Sequence, residues 1–101
     1  GVTVVLKGHG TVVTDAERVY VNQTGNAGMA TAGAGDVLTG VIAALLGQQM
    51  SAFPAAVLGV HVHGLAGDSA AEQLGRMSLI ATDIIEYLSD AFSDLEFDTM
   101  N

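Results

Sequence analysis

The stretch GNAGMATAGAGDVLTG, residues 25–40, decides the fold because a glycine-rich loop leads directly into an apolar segment. The glycines at positions 33 and 35 permit positive φ angles and place no Cβ between the backbone and a ligand. The first amide groups of a helix lack intrahelical acceptors and lie at the positive end of the helix dipole, so they bind anions. The stretch therefore predicts an anion-binding helix end whose backbone donors are Gly33, Ala34 and Gly35.

Asp36 stands between this loop and the helix, and its carboxylate admits two interpretations. As a helix N-cap it would accept hydrogen bonds from the free amides of the first turn. As a catalytic base it would take a hydroxyl proton while the backbone stabilises charge on a transferring phosphoryl group. The pattern from Thr31 to Asp36 is TxGxGD, and it meets neither the Walker A motif nor the dinucleotide motif GxGxxG.

A second glycine turn, KGHGT at residues 7–11, follows the first strand-like run. A turn at the end of a strand, with a lysine before it and a hydroxyl group after it, holds phosphate or adenosine groups in some proteins. A plain hairpin turn with an incidental lysine fits the same residues. Lys7 is notable because the chain has only 3 Lys and Arg residues against 11 Asp and Glu.

The composition excludes several classes of protein. The chain has 101 residues and a formal net charge of −8, which argues against a nucleic-acid binder because such a protein needs a basic face to neutralise phosphates. No apolar run reaches the ~18 residues of a membrane span. The absence of cysteine rules out disulfides and thiolate metal sites and, with no leader-like segment, leads us to expect a cytoplasmic protein.

The order of elements predicts an α/β fold in one domain, with strands first and helices later. We expect a strand at 2–6, a hairpin at 11–14 and 18–21, a loop at 22–35 and a buried helix at 36–49. A second helix is expected at 51–74, a third helix with an Asp83–Glu86 capping box from residue 82 or 83, and a flexible tail at 94–101. Because the chain opens directly on a strand, we expect the C-terminal part of a longer domain.

Other side chains have less specific interpretations. Met29 and Met77 are expected to fill the core. His61 and His63 are two residues apart on a helix, so they cannot share one metal and are expected to pack. One face of the first helix carries mostly small residues, so another backbone could approach it closely: Asp36, Gly40, Ala43 and Gly47. The glycines and alanines of the second helix are likewise expected to allow close helix packing. A row of surface ion pairs is expected from three residues at the spacing i, i+4 and i+8, namely Asp68, Glu72 and Arg76.

Three stretches carry a resemblance to a known family: VVLKGHGT at 4–11, the segment at 22–48, and the segment at 59–88. Over residues 2–91 the chain resembles the ADP/ATP-dependent NAD(P)H-hydrate dehydratases, the YjeF C-terminal, carbohydrate-kinase-like domains of the ribokinase-like superfamily. The resemblance implies a three-layer α/β/α domain, of which residues 1–101 would form the C-terminal portion. It also implies a lyase that repairs hydrated NADH or NADPH at the expense of ADP or ATP.

The resemblance implies roles for individual residues. Asp36 would contact the hydrated nicotinamide and act as the base, and Gly35 would lie against the nucleotide. The other nucleotide-binding positions would be Lys7, Gly8, His9, Gly10 and Thr11. Position 9 is His where the family has small residues, and Ala34 replaces a frequent Thr or Ser. These two changes leave the backbone contacts in place but remove one hydroxyl donor to phosphate.

The resemblance also implies partners. The N-terminal remainder of the same domain would complete the site, Mg²⁺ would arrive with the nucleotide phosphates because the sequence shows no metal cage of its own, and a homo-oligomer is expected. Two other functions stay open: a ribokinase-like kinase of a vitamin precursor or sugar, and a non-catalytic module that binds nucleotide and oligomerises. The long loop NxTGNxGMATxGxGD favours the dehydratase.

Overall fold

The computed structural model describes residues 2–8 and 10–100, and only the backbone of 96–100. The strands are β1 (Val4–Leu6), β2 (Val12–Thr14) and β3 (Val19–Val21), and a short 3-10 helix follows at Ala27–Met29. The helices are α1 (Ala34–Gly47), α2 (Ala52–Leu74) and α3 (Ala81–Met100). The predicted α/β order of a strand and hairpin followed by three helices is therefore confirmed.

The three strands form one antiparallel sheet in the order β1-β2-β3. Val5 lies opposite Val13, and Val13 lies opposite Tyr20, so these inward side chains form one patch against the helices. The alternate residues point the other way, and among them Leu6 is 57% and Val19 71% exposed. Within the described residues the helices cover one face of the sheet, which accounts for two of the three layers that the resemblance implies.

The β2–β3 turn is closed by Asp15, as the predicted hairpin requires. Its Oδ1 accepts hydrogen bonds from the backbone amides of Glu17 at 2.8 Å and Arg18 at 2.7 Å, and its Oδ2 accepts one from the Arg18 guanidinium at 2.8 Å. The Glu17 amide, followed by the Arg18 contacts, holds the pKa of Asp15 below its ordinary value. The Arg18 guanidinium also lies 4.2 Å from the ring centre of Phe53, which links the hairpin to α2.

Helix α2 lies at the centre of the helical layer, and its glycines mark where neighbours approach most closely. A Cβ added at Gly59 would lie 2.6 Å from the Ile42 side chain of α1, and one at Gly67 would collide with Met29. The close packing expected on α2 is thus present. On α1, by contrast, a Cβ at Gly40 or Gly47 would meet no described atom within 4 Å.

Two helix starts differ from those expected. Helix α1 begins at Ala34, two residues before the predicted start, because Gly33 takes the N-cap position with φ 86° and ψ −11°. Helix α3 begins at Ala81, and Asp83 Oδ2 accepts a hydrogen bond of 2.9 Å from the Ile80 amide. Asp83 therefore lies within the first turn of α3 and caps the backbone amide of Ile80, which precedes the helix. The expected capping box between Asp83 and Glu86 is wrong.

The two methionines expected in the core differ in outcome. Met29 packs against the buried cluster that contains Val62 and Ile84, whereas Met77 is fully exposed, so only the first prediction is confirmed. Residues 94–100 continue α3, and Asn101 of the predicted tail lies outside the described residues. The flexibility of that tail stays a prediction. No helix among the described residues is long and apolar enough to cross a membrane.

Because α2 and the loop lie so close together at Gly64, we expect a side chain added at this position to destabilise the fold. A Cβ there would collide with the Thr24 hydroxyl and lie 2.7 Å from the Thr24 carbonyl carbon. We expect Gly64→Ala to lower the free energy of unfolding by about 1–3 kcal/mol in spite of the better helix propensity of alanine. Gly40→Ala is the matched control and is expected to be neutral or stabilising. Urea unfolding measures the free energy of unfolding of both variants. Equal values for Gly64→Ala and Gly40→Ala would contradict the close packing at Gly64.

Candidate functional site

The first turn of α1 brings together the glycine-rich loop and a set of free backbone donors. The Ala34 amide donates to Thr31 O at 3.2 Å, and the Val37 amide donates to Gly33 O at 3.1 Å. The amides of Gly35 and Asp36, which lie between them, donate to no acceptor in the described part of the chain. An anion at this helix end would therefore meet the Gly35 and Asp36 amides, while the Ala34 amide, predicted as a donor, is engaged within the loop.

Lys7 reaches the same turn from the end of β1. Its ammonium nitrogen lies against Gly35, on the side where a Cβ would stand. The turn that follows β1 has Gly10 at φ 73°, and Thr11 Oγ1 donates to Gly8 O at 3.4 Å. His9, a predicted member of this group, lies outside the described residues. The fold thus places one cation against Gly35, whose amide has no acceptor among the described residues.

Asp36 is exposed on the first turn of α1. Its carboxylate forms no hydrogen bond or ion pair with the described residues, and the N-cap position belongs to Gly33. The interpretation of Asp36 as an N-cap is therefore wrong. The carboxylate is free to meet a ligand bound at the helix end.

His63 contacts the same turn from α2. Its Nε2 lies 3.1 Å from Ala34 O, and because a carbonyl oxygen only accepts, this nitrogen carries the hydrogen. Burial lowers the pKa of His63, the charge of Lys7 lowers it further, and the bond to Ala34 acts in the opposite direction. From sequence, His63 is expected only to pack. Its spacing of four from both Gly59 and Gly67 was the available signal, since it places the imidazole on the face of closest approach.

The start of the glycine-rich loop is held on α2 by side-chain amides and hydroxyls. Asn22 is 6% exposed, and its Nδ2 donates to Val60 O at 3.1 Å and to Thr24 Oγ1 at 3.0 Å. Thr24 Oγ1 in turn donates to His61 O at 2.9 Å. These bonds fix the loop before it reaches the first turn of α1, and because they join residues far apart in the chain, no local sequence signal predicts them.

Asp68 fixes the next part of the loop. Its Oδ2 accepts from the Gly25 amide at 2.9 Å, and its Oδ1 accepts from Asn26 Nδ2 at 2.9 Å. Within the described residues the only ion pair is Arg18–Asp15, so the expected row of ion pairs through Asp68, Glu72 and Arg76 is wrong. The Asp68 carboxylate binds the loop amides in preference to the Arg76 side chain because it is half-buried against the loop.

Two cavities adjoin the helical layer, and the larger one reaches the first turn of α1 at Val37. An open apolar groove of about 960 Å³ runs between α1, α2 and α3, and its walls include Val41, Leu58 and Phe92. A smaller polar cleft of about 320 Å³ lies beside Asn26, Asp68 and Arg76. The described part of the chain holds no group of three His, Cys, Asp or Glu residues that could bind a metal ion.

Comparison with known proteins identifies similar chains. The family model described as NAD(P)H-hydrate dehydratase matches residues 1–90. The chain is 50% identical over 92 residues to the bifunctional NAD(P)H-hydrate repair enzyme Nnr of Moorella thermoacetica, covering 90% of this chain and 17% of that protein. The Nnr of Thermofilum pendens is 50% identical over 94% of this chain and 18% of its own length.

A single-activity relative is also similar. The ADP-dependent (S)-NAD(P)H-hydrate dehydratase of Neisseria meningitidis serogroup B is 53% identical over 76 residues. That match covers 74% of this chain and 26% of the relative. The chain thus spans between about a sixth and a quarter of the length of the relatives it matches.

The bonds of Asp68 predict that its charge matters for the loop. In Asp68→Asn one of the two carboxylate oxygens becomes an NH₂ group. Either the backbone amide of Gly25 or the side-chain amide of Asn26 therefore loses its acceptor. We expect the free energy of unfolding to fall by about 1–3 kcal/mol and hydrogen exchange at residues 25–29 to become faster. Glu72→Gln removes the same charge one turn further along α2 at an exposed side chain. Equal effects of the two substitutions would contradict the assignment.

Proposed function

We propose, because this chain belongs to the NAD(P)H-hydrate dehydratase family, that it carries the nucleotide-binding turn and the catalytic base of an enzyme that dehydrates hydrated NADH or NADPH. The observation that supports this most directly is the approach of the Lys7 ammonium to Gly35. In the described part of the chain, the amides of Gly35 and Asp36 and the Asp36 carboxylate have no partner. A cation and a helix N-terminus attract a polyphosphate, and the carboxylate lies within the same turn.

The proposed chemistry follows from the poor leaving ability of hydroxide. Asp36 accepts the proton of the substrate hydroxyl, and that oxygen attacks the terminal phosphoryl group of the nucleotide. The phosphoanhydride bond breaks, and Lys7 with the amides of Gly35 and Asp36 stabilises the charge on the transferring group. The C–O bond of the substrate then breaks, and inorganic phosphate and one ring proton leave as the double bond of the nicotinamide ring forms again.

The remaining nucleotide contacts in this proposal come from residues 7–11 and from Gly33. The donor is ADP or ATP, and ADP is the first to test because the Neisseria relative is named as ADP-dependent. Magnesium would bind mainly to the nucleotide phosphates and keep several water ligands, and the exposed Asp36 is the carboxylate of this turn that would hold it.

A single chain of this length supplies part of the site. We propose that the N-terminal remainder of the same domain covers the exposed face of the sheet and provides further substrate contacts. The exposed apolar side chains Val4, Leu6 and Val21 support this, since burying them would contribute to stability. The homo-oligomer and the cytoplasmic location stay predictions.

The role of Asp36 is tested by Asp36→Asn in the complete polypeptide that contains these residues. We expect the rate of ADP-dependent dehydration, followed by the absorbance of reduced nicotinamide, to fall at least ~10²-fold. Folding and ADP affinity should persist, since the side chain has no partner in the described part of the chain. Asp90→Asn, an exposed acid on α3, is the control.

The outcomes of this assay separate the candidate functions. Unchanged turnover in Asp36→Asn would remove Asp36 from the mechanism. A wild-type protein that phosphorylates a vitamin precursor or sugar without restoring reduced nicotinamide would identify the ribokinase-like kinase. Nucleotide binding without any turnover in the wild type would identify the non-catalytic module.

The contact between Lys7 and Gly35 predicts that a substitution at Gly35 weakens ADP binding without lowering thermal stability. In Gly35→Ala the new Cβ displaces the ammonium, which is the end of a flexible side chain, so the structural cost is small and the helix propensity improves by up to ~1 kcal/mol. We expect unchanged or raised thermal stability together with at least ~10-fold weaker ADP binding. Gly40→Ala should show the gain in stability without the loss of affinity. Full ADP affinity in Gly35→Ala would argue against a phosphate at this turn.

A further inference from the structure

The imidazole of His63, on α2, contacts the first turn of α1. It contacts Ala34 O through Nε2 at 3.1 Å. Ala34 itself is buried, so water competes little for this carbonyl. The bond therefore joins two helices at the residue that precedes Gly35.

The geometry of the peptide bond gives this contact a consequence. The carbonyl of residue 34 and the amide N–H of residue 35 belong to the same planar peptide unit and point in opposite directions. A group that fixes the direction of Ala34 C=O therefore fixes the direction of Gly35 N–H. That amide has no acceptor in the described residues, and the Lys7 ammonium lies against the same residue, where a Cβ would stand.

We propose that His63 is a positioning residue that aims the Gly35 amide at a nucleotide phosphate by holding the Ala34 carbonyl of the same peptide unit. This inference rests on the proposed function, because the phosphate is the ligand it assigns to the turn. His63 does not touch the phosphate. Its neutral Nε2–H form performs the role without adding charge, so Lys7 stays the cation of the site.

Two substitutions separate positioning from packing. His63→Gln places an amide donor near the position of Nε2, whereas His63→Leu fills similar space without a donor. In the complete polypeptide, with folding checked by circular dichroism, we expect His63→Leu to weaken ADP binding about 3- to 10-fold, which is the range of one lost hydrogen bond. His63→Gln should stay within about 2-fold of the wild type. His61→Leu is the control, since only the backbone carbonyl of His61 is used.

Two further measurements keep the test independent of nucleotide binding and of the variants' folding. Hydrogen exchange at residues 33–37 should be faster in His63→Leu and restored in His63→Gln. The ¹⁵N shifts of the wild-type imidazole should report the neutral tautomer with hydrogen on Nε2.

The outcomes distinguish the two proposals. A wild type that binds no ADP overturns the proposed function, and the amide exchange and the tautomer then decide whether His63 orients this turn. A wild type that binds ADP while His63→Leu binds it equally well overturns the role of His63 alone. Equal losses in the Leu and Gln variants, or hydrogen on Nδ1, would also overturn it.

Discussion

The close approach of the glycine-rich loop to α2 is the constraint on which the rest of the site depends. The loop can lie there only because α2 has no Cβ at Gly64 and Gly67, where Thr24 and Met29 take the space. Asn22 and Asp68 then fasten the loop through buried and half-buried hydrogen bonds. Since the loop leads straight into α1, its attachment decides where the first turn of α1 lies. The stiffness that an anion site requires thus comes from a neighbouring helix.

The candidate site is assembled from three separate parts of the sequence. β1 contributes the Lys7 ammonium, α1 contributes the free amides and Asp36, and α2 contributes the His63 contact. The family match and the relatives agree with the resemblance that the loop motif suggested. The described helices cover one face of the sheet, which is consistent with a chain that spans about a sixth of its bifunctional relatives.

Much of the fold could be predicted from the sequence, because β-branched runs and glycine turns are local signals. Helix α2 begins after Ser51 and ends at Leu74 as expected. The loop motif also identified the turn at Gly35. What could not be predicted depends on contacts between distant residues: Asp68 had the spacing for an ion pair, but loop amides offered it better-buried partners. The start of α1 was missed because glycine at the N-cap has no side-chain signal, and Met77 was misplaced because hydrophobicity alone does not decide burial.

The one-sided sheet has a consequence for handling this chain in isolation. Among the described residues β1 is an edge strand with one row of backbone groups that pairs with no other strand, and the face beside it presents Val4 and Leu6 to water. Such an edge templates the addition of further strands, and the chain contributes no charged side chain from β1 itself to oppose this. Separated from covering segments, these residues would tend towards edge-to-edge aggregation, and their large negative charge would be the main force keeping copies apart.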